Sequence, residues 1–163
     1  MADSIIVNKD LSLADQYEML IPQVKSLIEP VENLITNLSN FTAVLNDSFD
    51  KISWIGFYLF DGKKLYLGPF QGKVACTQIE IGKGVCGTAA QKMQTIIVPD
   101  VFKFPGHIFC DSDSKSEIVV PLIKNDKLLG VLDIDSYDYN SFDEIDKKYL
   151  EELCDYLATK IFI

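Results

Sequence analysis

The residues best able to move electrons, protons or metal ions crowd into one stretch of this 163-residue chain. Between Gly68 and Cys110 lie Cys76, Cys86 and Cys110, three of the four cysteines, and His107, the sole histidine. Turn-forming glycine and proline flank each of them. Three readings compete. Each cysteine can be a small core residue, since free cysteine is often buried. Three cysteines and a histidine also make a zinc ligand set, but structural zinc sites favour C-x2–4-C knuckles, and nine residues separate Cys76 from Cys86. The third reading is redox: an attacking thiolate with one or two resolving thiols. Cys86, near the start of a short predicted helix, stands to gain from unsatisfied helix N–H groups. Cys110, in a loop beside His107, has the mobility that disulfide exchange needs. A Cys–His hydrolase would require a third, orienting residue, and none is identifiable, so His107 reads as a tuning or structural group. Cys154 falls on the apolar stripe of a helix and reads as core.

A second cluster is acidic. Asp133 and Asp135 alternate with Leu132 and Ile134, so both carboxylates share one strand face about 7 Å apart. Buried carboxylates are costly unless something positive or protonated answers them, and an ammonium group would do so. A solvated strand end is the bland reading. Glu117 is the third acid. A simple two-residue turn at Asn125-Asp126 pairs 118 with 133 and puts Glu117 on the face opposite Asp133. A bulge, with Pro121 as the expected place, or a position beyond the strand end would bring it round. Trp54 and Tyr58, four apart on a predicted strand, point to the same side. Such a pair serves core packing or walls an apolar pocket suited to a methyl–sulfur group.

These residues need a scaffold. Ser12 and Asp15 signal a helix start, followed by Leu13, Tyr17, Leu20, Val24 and Leu27 at helical spacing, with a kink or break expected at Pro22. Pro30 suits the first position of a second helix carrying Leu34, Leu38, Phe41 and Leu45. Strands are predicted over 53–60 and 64–67, joined by Asp61-Gly62, and near 75–79. Loop is expected from Gly68 to Gly72. A short helix spans about 85–93, strand resumes over 95–98, and 99–115 forms a long loop of the kind that is usually functional or mobile. Strands at 117–124 and 127–135 precede a last helix opened by a Ser141–Glu144 capping box. The order ααβββαβββα implies an α+β domain with a central antiparallel sheet packed against N- and C-terminal helices.

Composition narrows the classes. An apolar fraction of 48% and a charged fraction of 24% describe an ordinary globular domain, and the net charge of −9 argues against nucleic acid or an anionic membrane as partner. The first ten residues have neither a basic region nor a long apolar run, so no signal peptide is expected, and no apolar stretch suits a membrane helix. The expected compartment is the cytosol, where clustered cysteines more often bind metal or do redox work than form a framework.

Six blocks now come together in order: WIGFYL, LGPFQGKVAC, GKGVCGTAA, FPGHIFCD, SKSEIVVPL and GVLDIDS. Together they resemble the free methionine-(R)-sulfoxide reductases, a group of stand-alone GAF domains, from about Ser53 to the final helix. The resemblance implies a single GAF domain over 1–163 that reduces the free amino acid and answers oxidative stress. By position it implies Cys110 as nucleophile, with Cys86 as the alternative, and Cys76 as the preferred resolving thiol. It also implies Glu117, Asp133 and Asp135 as active-site acids and Trp54 and Tyr58 as the substrate pocket. No bound cofactor or metal is implied; thioredoxin is the expected external reductant, and a homodimer through the terminal helices is an expectation of the fold. The competing class is a non-enzymatic GAF sensor of a small ligand, which would usually regulate an attached output domain and has no need of three pocket cysteines.

Overall fold

The computed structural model describes residues 5–28, 33–108 and 110–160. Six antiparallel strands form one sheet in the order β3-β2-β1-β6-β5-β4, where β1 is Trp54–Phe60, β2 Lys64–Gln71, β3 Gln78–Glu80, β4 Ile96–Val98, β5 Ser116–Lys124 and β6 Lys127–Ser136. Helices α1 (Leu13–Ile28), α2 (Leu34–Ser48) and α4 (Glu144–Lys160) pack against one face, and α3 (Gly84–Lys92) against the other. The element order is the one the periodicity predicts.

Strand alternation divides the sheet chemically. Ile55, Phe57, Ile118, Val120, Leu122, Leu132 and Ile134 face the three long helices and join Leu20, Val24, Leu38, Phe41, Leu45, Leu150 and Leu157 in the main core. Trp54, Tyr58, Val119 and Val131 face the other way, toward α3. Each side of β1 and β6 is therefore committed to a different environment.

Several local expectations change. Helix α1 runs through Pro22 without a break, because its buried stripe of Tyr17, Leu20, Ile21, Val24 and Ile28 holds both halves on the core. Helix α2 begins at Leu34, capped by Asn33, whose side chain accepts from Thr36 N–H at 3.0 Å; Pro30 lies outside the described residues. The opening box of α4 is Asp143–Asp146 rather than Ser141–Glu144: Asp143 accepts from Ile145 and Asp146, and Asp146 accepts from Asp143 N–H. Strand β2 continues through Gly68 and Pro69 to Gln71, while β3 is confined to three residues. The register of β1 on β2 shifts between Gly56 and Tyr58, so Gly68-Pro69 is absorbed as a bulge, where a missing N–H costs no ladder bond.

A second bulge decides the site. Asn125 and Asp126, both at positive φ, make the tight turn between β5 and β6. Lys124 pairs with Lys127 and Ile123 with Leu128, but Leu122 pairs with Gly130, which leaves Leu129 as the extra residue. From there Val119 faces Asp133 and Glu117 faces Asp135. The bulge that turns Glu117 onto the acid face thus sits in β6, and not at Pro121. Gly130 next to it is required by close approach: a Cβ there would stand 2.5 Å from the Tyr58 carbonyl oxygen of β1.

Candidate active site

Seven of the eight residues singled out in the sequence lie on β1, β5 and β6, on α3 or in the loop before β5; Cys76 lies in the segment before β3, and all eight converge on one face of the sheet. Trp54 pairs with Asp135 and Gly56 with Asp133 across β1 and β6, so aromatic wall and acids share that face. Gly56 makes room for the Trp54 ring. A Cβ at this position would fall 2.3 Å from the Trp54 ring, which lies back over the strand. Trp54 stacks on Phe70 with centroids 5.5 Å apart and faces Tyr58 at 6.1 Å. Its Nε1 donates to the Lys73 carbonyl at 3.0 Å, and the Tyr58 hydroxyl donates to the Cys76 carbonyl at 3.1 Å. Through these two bonds the aromatic wall holds the segment that carries Cys76.

Cys76 and Cys110 form a disulfide, with Cα atoms 5.6 Å apart across 34 residues of sequence. Cys110 is exposed and Cys76 half-buried. Cys110 borders two small cavities. One, of about 30 Å³, is lined by Cys86, His107, Ser114, Glu117, Asp133 and Asp135, among others. The other, of about 20 Å³, is lined by Trp54, Tyr58, Val74, Ala75, Asp133 and Asp135. Each has room for about one water molecule. Lys73 ties down the loop after Cys110 through Asp111 at 3.2 Å and Asp113 at 2.9 Å, and Tyr137 donates to Asp111 at 2.9 Å. Burial works against the charge of Asp111, yet the Asp113 N–H, Tyr137 and Lys73 outweigh it and hold its carboxyl below the ordinary range.

Cys86 is the free thiol of the site, buried beneath Glu117 and Asp133 with the ligand atoms of all three within 4.8 Å of one another. Its position near the start of α3 suggests an activated thiolate, but the surroundings do the opposite. Burial pushes the thiol well up, and the charges of Asp133 and Glu117 push it further. Cys154 is buried on α4 in the main core, as its stripe position predicts.

The acids are pushed the same way. Burial raises Glu117 well above the usual carboxylate range, with Asp135 adding to it. Burial and then the Glu117 charge raise Asp133, and burial, Asp133 and Asp111 raise Asp135. Glu117 and Asp133 are only 5% and 7% exposed, and no lysine or arginine pairs with either among the described residues. His107 Nε2 lies 3.1 Å from Glu117 Oε2, and burial lowers the His107 pKa, so a neutral imidazole and a protonated carboxyl fit together there. Asp133 Oδ1 and Ser114 Oγ are buried and make no hydrogen bond among the described residues. A site whose carboxyls are pushed toward the protonated form, with unanswered oxygens beside them, is prepared to give a proton and to receive a donor-rich group. Sequence reasoning missed Asp111 and Ser114. Asp111 stood in plain view beside Cys110, whereas nothing local marked Ser114.

The GAF domain model matches residues 32–161. GAF domain-containing protein A of Dictyostelium discoideum is 54% identical over 94% of this chain and 96% of its own length. The free methionine-R-sulfoxide reductase of Saccharomyces cerevisiae is 48% identical over 93% of this chain and 89% of the yeast protein. Among solved structures, the free methionine-R-sulfoxide reductase of Neisseria meningitidis in complex with its substrate superposes with a TM-score of 0.94 at 42% identity, covering 98% of this chain and 95% of that one. The chain belongs to the GAF domain family and, within it, to the free methionine-R-sulfoxide reductases.

Proposed function

We propose that this enzyme reduces free L-methionine (R)-S-oxide to methionine, with Cys110 as nucleophile and Cys76 as resolving thiol. The observation that carries the reading is the position of Cys110. It borders both the acid cluster and the aromatic wall and is already bonded to Cys76. Sulfoxide sulfur is a poor electrophile until its oxygen is protonated, and Glu117, Asp133 and Asp135 form a carboxyl cluster whose raised pKa values suit a proton donor. The Cys110 thiolate adds to sulfur as the oxygen takes that proton. Transfer of the hydroxyl to Cys110 then releases methionine, whose sulfur has gained two electrons, and leaves a sulfenic acid. Cys76 attacks the sulfenic sulfur, expels water and closes the disulfide. An external dithiol, thioredoxin in a reducing cytosol, returns both thiols by exchange at the exposed Cys110 edge.

Trp54 and Tyr58 supply the apolar wall for the methyl–sulfur end, and the carboxylates not engaged with the oxygen hold the ammonium group, which favours a free amino acid over a peptide. Both cavities are far below the roughly 300 Å³ at which small-molecule sites begin. Substrate admission accordingly follows reduction and movement of the Cys110 loop. Cys86, with its thiol pushed well up, is the weaker nucleophile.

A thioredoxin- and NADPH-coupled assay with free Met-R-sulfoxide, free Met-S-sulfoxide and a sulfoxide peptide tests the proposal. Turnover of the free R epimer alone is expected, and none with that epimer overturns it. In a single turnover, Cys110→Ser should form no methionine; substantial product would move the attack to Cys86.

A further inference from the structure

We propose that Cys86, Glu117 and Asp133 form a binding site for a zinc-class divalent cation, which shuts the enzyme by occupying its acid cluster. The donors differ from the cysteine–histidine set weighed in the sequence: Cys76 and Cys110 are consumed in their disulfide, and Cys86 remains with two carboxylates. The Cys86 sulfur and one oxygen of each acid lie within 4.8 Å of one another. Tetrahedral ligands at about 2.3 Å for sulfur and 2.0 Å for oxygen are about 3.5 Å apart, so shifts of about 1 Å complete the set. His107 Nε2, 3.1 Å from Glu117 Oε2 on the lining of the same cavity, holds that carboxylate in place, as hydrogen-bonding partners of metal ligands do.

A second observation points to a ligand here. Asp133 Oδ1 and Ser114 Oγ, from residues 7% and 3% exposed, are buried without hydrogen-bond partners, and both residues line the same cavity of about 30 Å³. That volume suits one ion or one water. A thiolate among the donors selects Zn²⁺ or Co²⁺ over Mg²⁺ and Ca²⁺, which prefer all-oxygen shells. With the cation bound, the carboxylates can neither donate a proton nor hold an ammonium group. Metal binding itself does not depend on the reductase reading and is measured without turnover.

The experiment uses the full chain in its disulfide form, where only Cys86 and Cys154 are free, titrated with Co²⁺ in excess Mg²⁺. One Co²⁺ per chain is expected, with a thiolate-to-cobalt charge-transfer band in the near ultraviolet that Zn²⁺ displaces. Cys86→Ser should abolish the band, and Asp133→Asn should weaken binding on the order of 100-fold while the band remains at saturation. Cys154→Ala, in the opposite core, should change neither. Absence of saturable binding, a band that survives Cys86→Ser, or one lost in Cys154→Ala overturns the proposal. Should Cys86→Ser fail to fold by circular dichroism, Asp133→Asn carries the decision, and unchanged affinity there overturns it as well.

Discussion

Two buried aspartates, on opposite sides of one sheet, mark the difference between holding a fold and preparing a reaction. Asp146 of α4 is fully buried among the helices and completely answered: Lys51 Nζ lies 2.7 Å from its carboxylate, the Tyr17 hydroxyl donates at 2.8 Å, and the Asp143 N–H at 3.1 Å. Asp133 of β6 is nearly as buried, but its neighbours are another acid and a thiol, and one of its oxygens has no partner. The first arrangement ties α1, α4 and the segment before β1 together. In the second, charge is disfavoured by burial and by like neighbours, a cost the rest of the fold must offset. Burial alone therefore says little about role; the company of the buried charge decides it.

That contrast can be broken by substitution. The largest effect is expected from Asp133→Asn, which removes a member of the proton-donating cluster: kcat/KM for the free R-sulfoxide should fall roughly 10²- to 10⁴-fold, while urea denaturation shows no loss of stability. Asp146→Ala should do the reverse. Stripping Lys51 and Tyr17 of their shared partner costs about 3 to 5 kcal/mol, read in the same denaturation experiment, with turnover per folded molecule unchanged. Gly130→Ala comes next, since its Cβ would push β6 off the Tyr58 carbonyl; about 1 to 3 kcal/mol is expected. The smallest effect is on pH dependence. Glu117, Asp133 and Asp135 have folded pKa values raised above their unfolded ones, so the folded chain holds protons that the unfolded chain has released. Their contribution to stability is complete below about pH 4 and is lost as pH rises through the raised values. The melting midpoint should fall by a few degrees over that range, roughly, and Glu117→Gln with Asp133→Asn should flatten the decline. A midpoint that rises with pH would contradict the assignment of the acids as buried and protonated.

Much of this was readable in the chain. Helical stripes located α1, α2 and α4, because each buries one face on a single core, and period-two alternation put Asp133 and Asp135 together on β6. The errors fell where tertiary packing outweighs local preference. Pro22 is carried inside a helix that the core holds on both sides, Gly68-Pro69 is absorbed in a strand by a bulge, and Asp143 rather than Ser141 caps α4. Cys86 is the most instructive case. A helix start lowers a thiol pKa, but burial first, and then two acids from strands more than thirty residues away, reverse the sign.

The stretch from Gly68 to Cys110, by its residue types, was enough to point to thiol chemistry, and the blocks around it to a family. Which cysteines meet, and on which side Glu117 faces, belonged to the fold. A single inserted residue, Leu129, turns Glu117 onto the face of Asp133, since side chains on a strand alternate and one step of register exchanges the two faces. The loop before β5 and the segment before β3, apart in sequence, then bring Cys110 to Cys76 and leave Cys86 beneath the acids. Those are long-range contacts, and no local pattern encodes them.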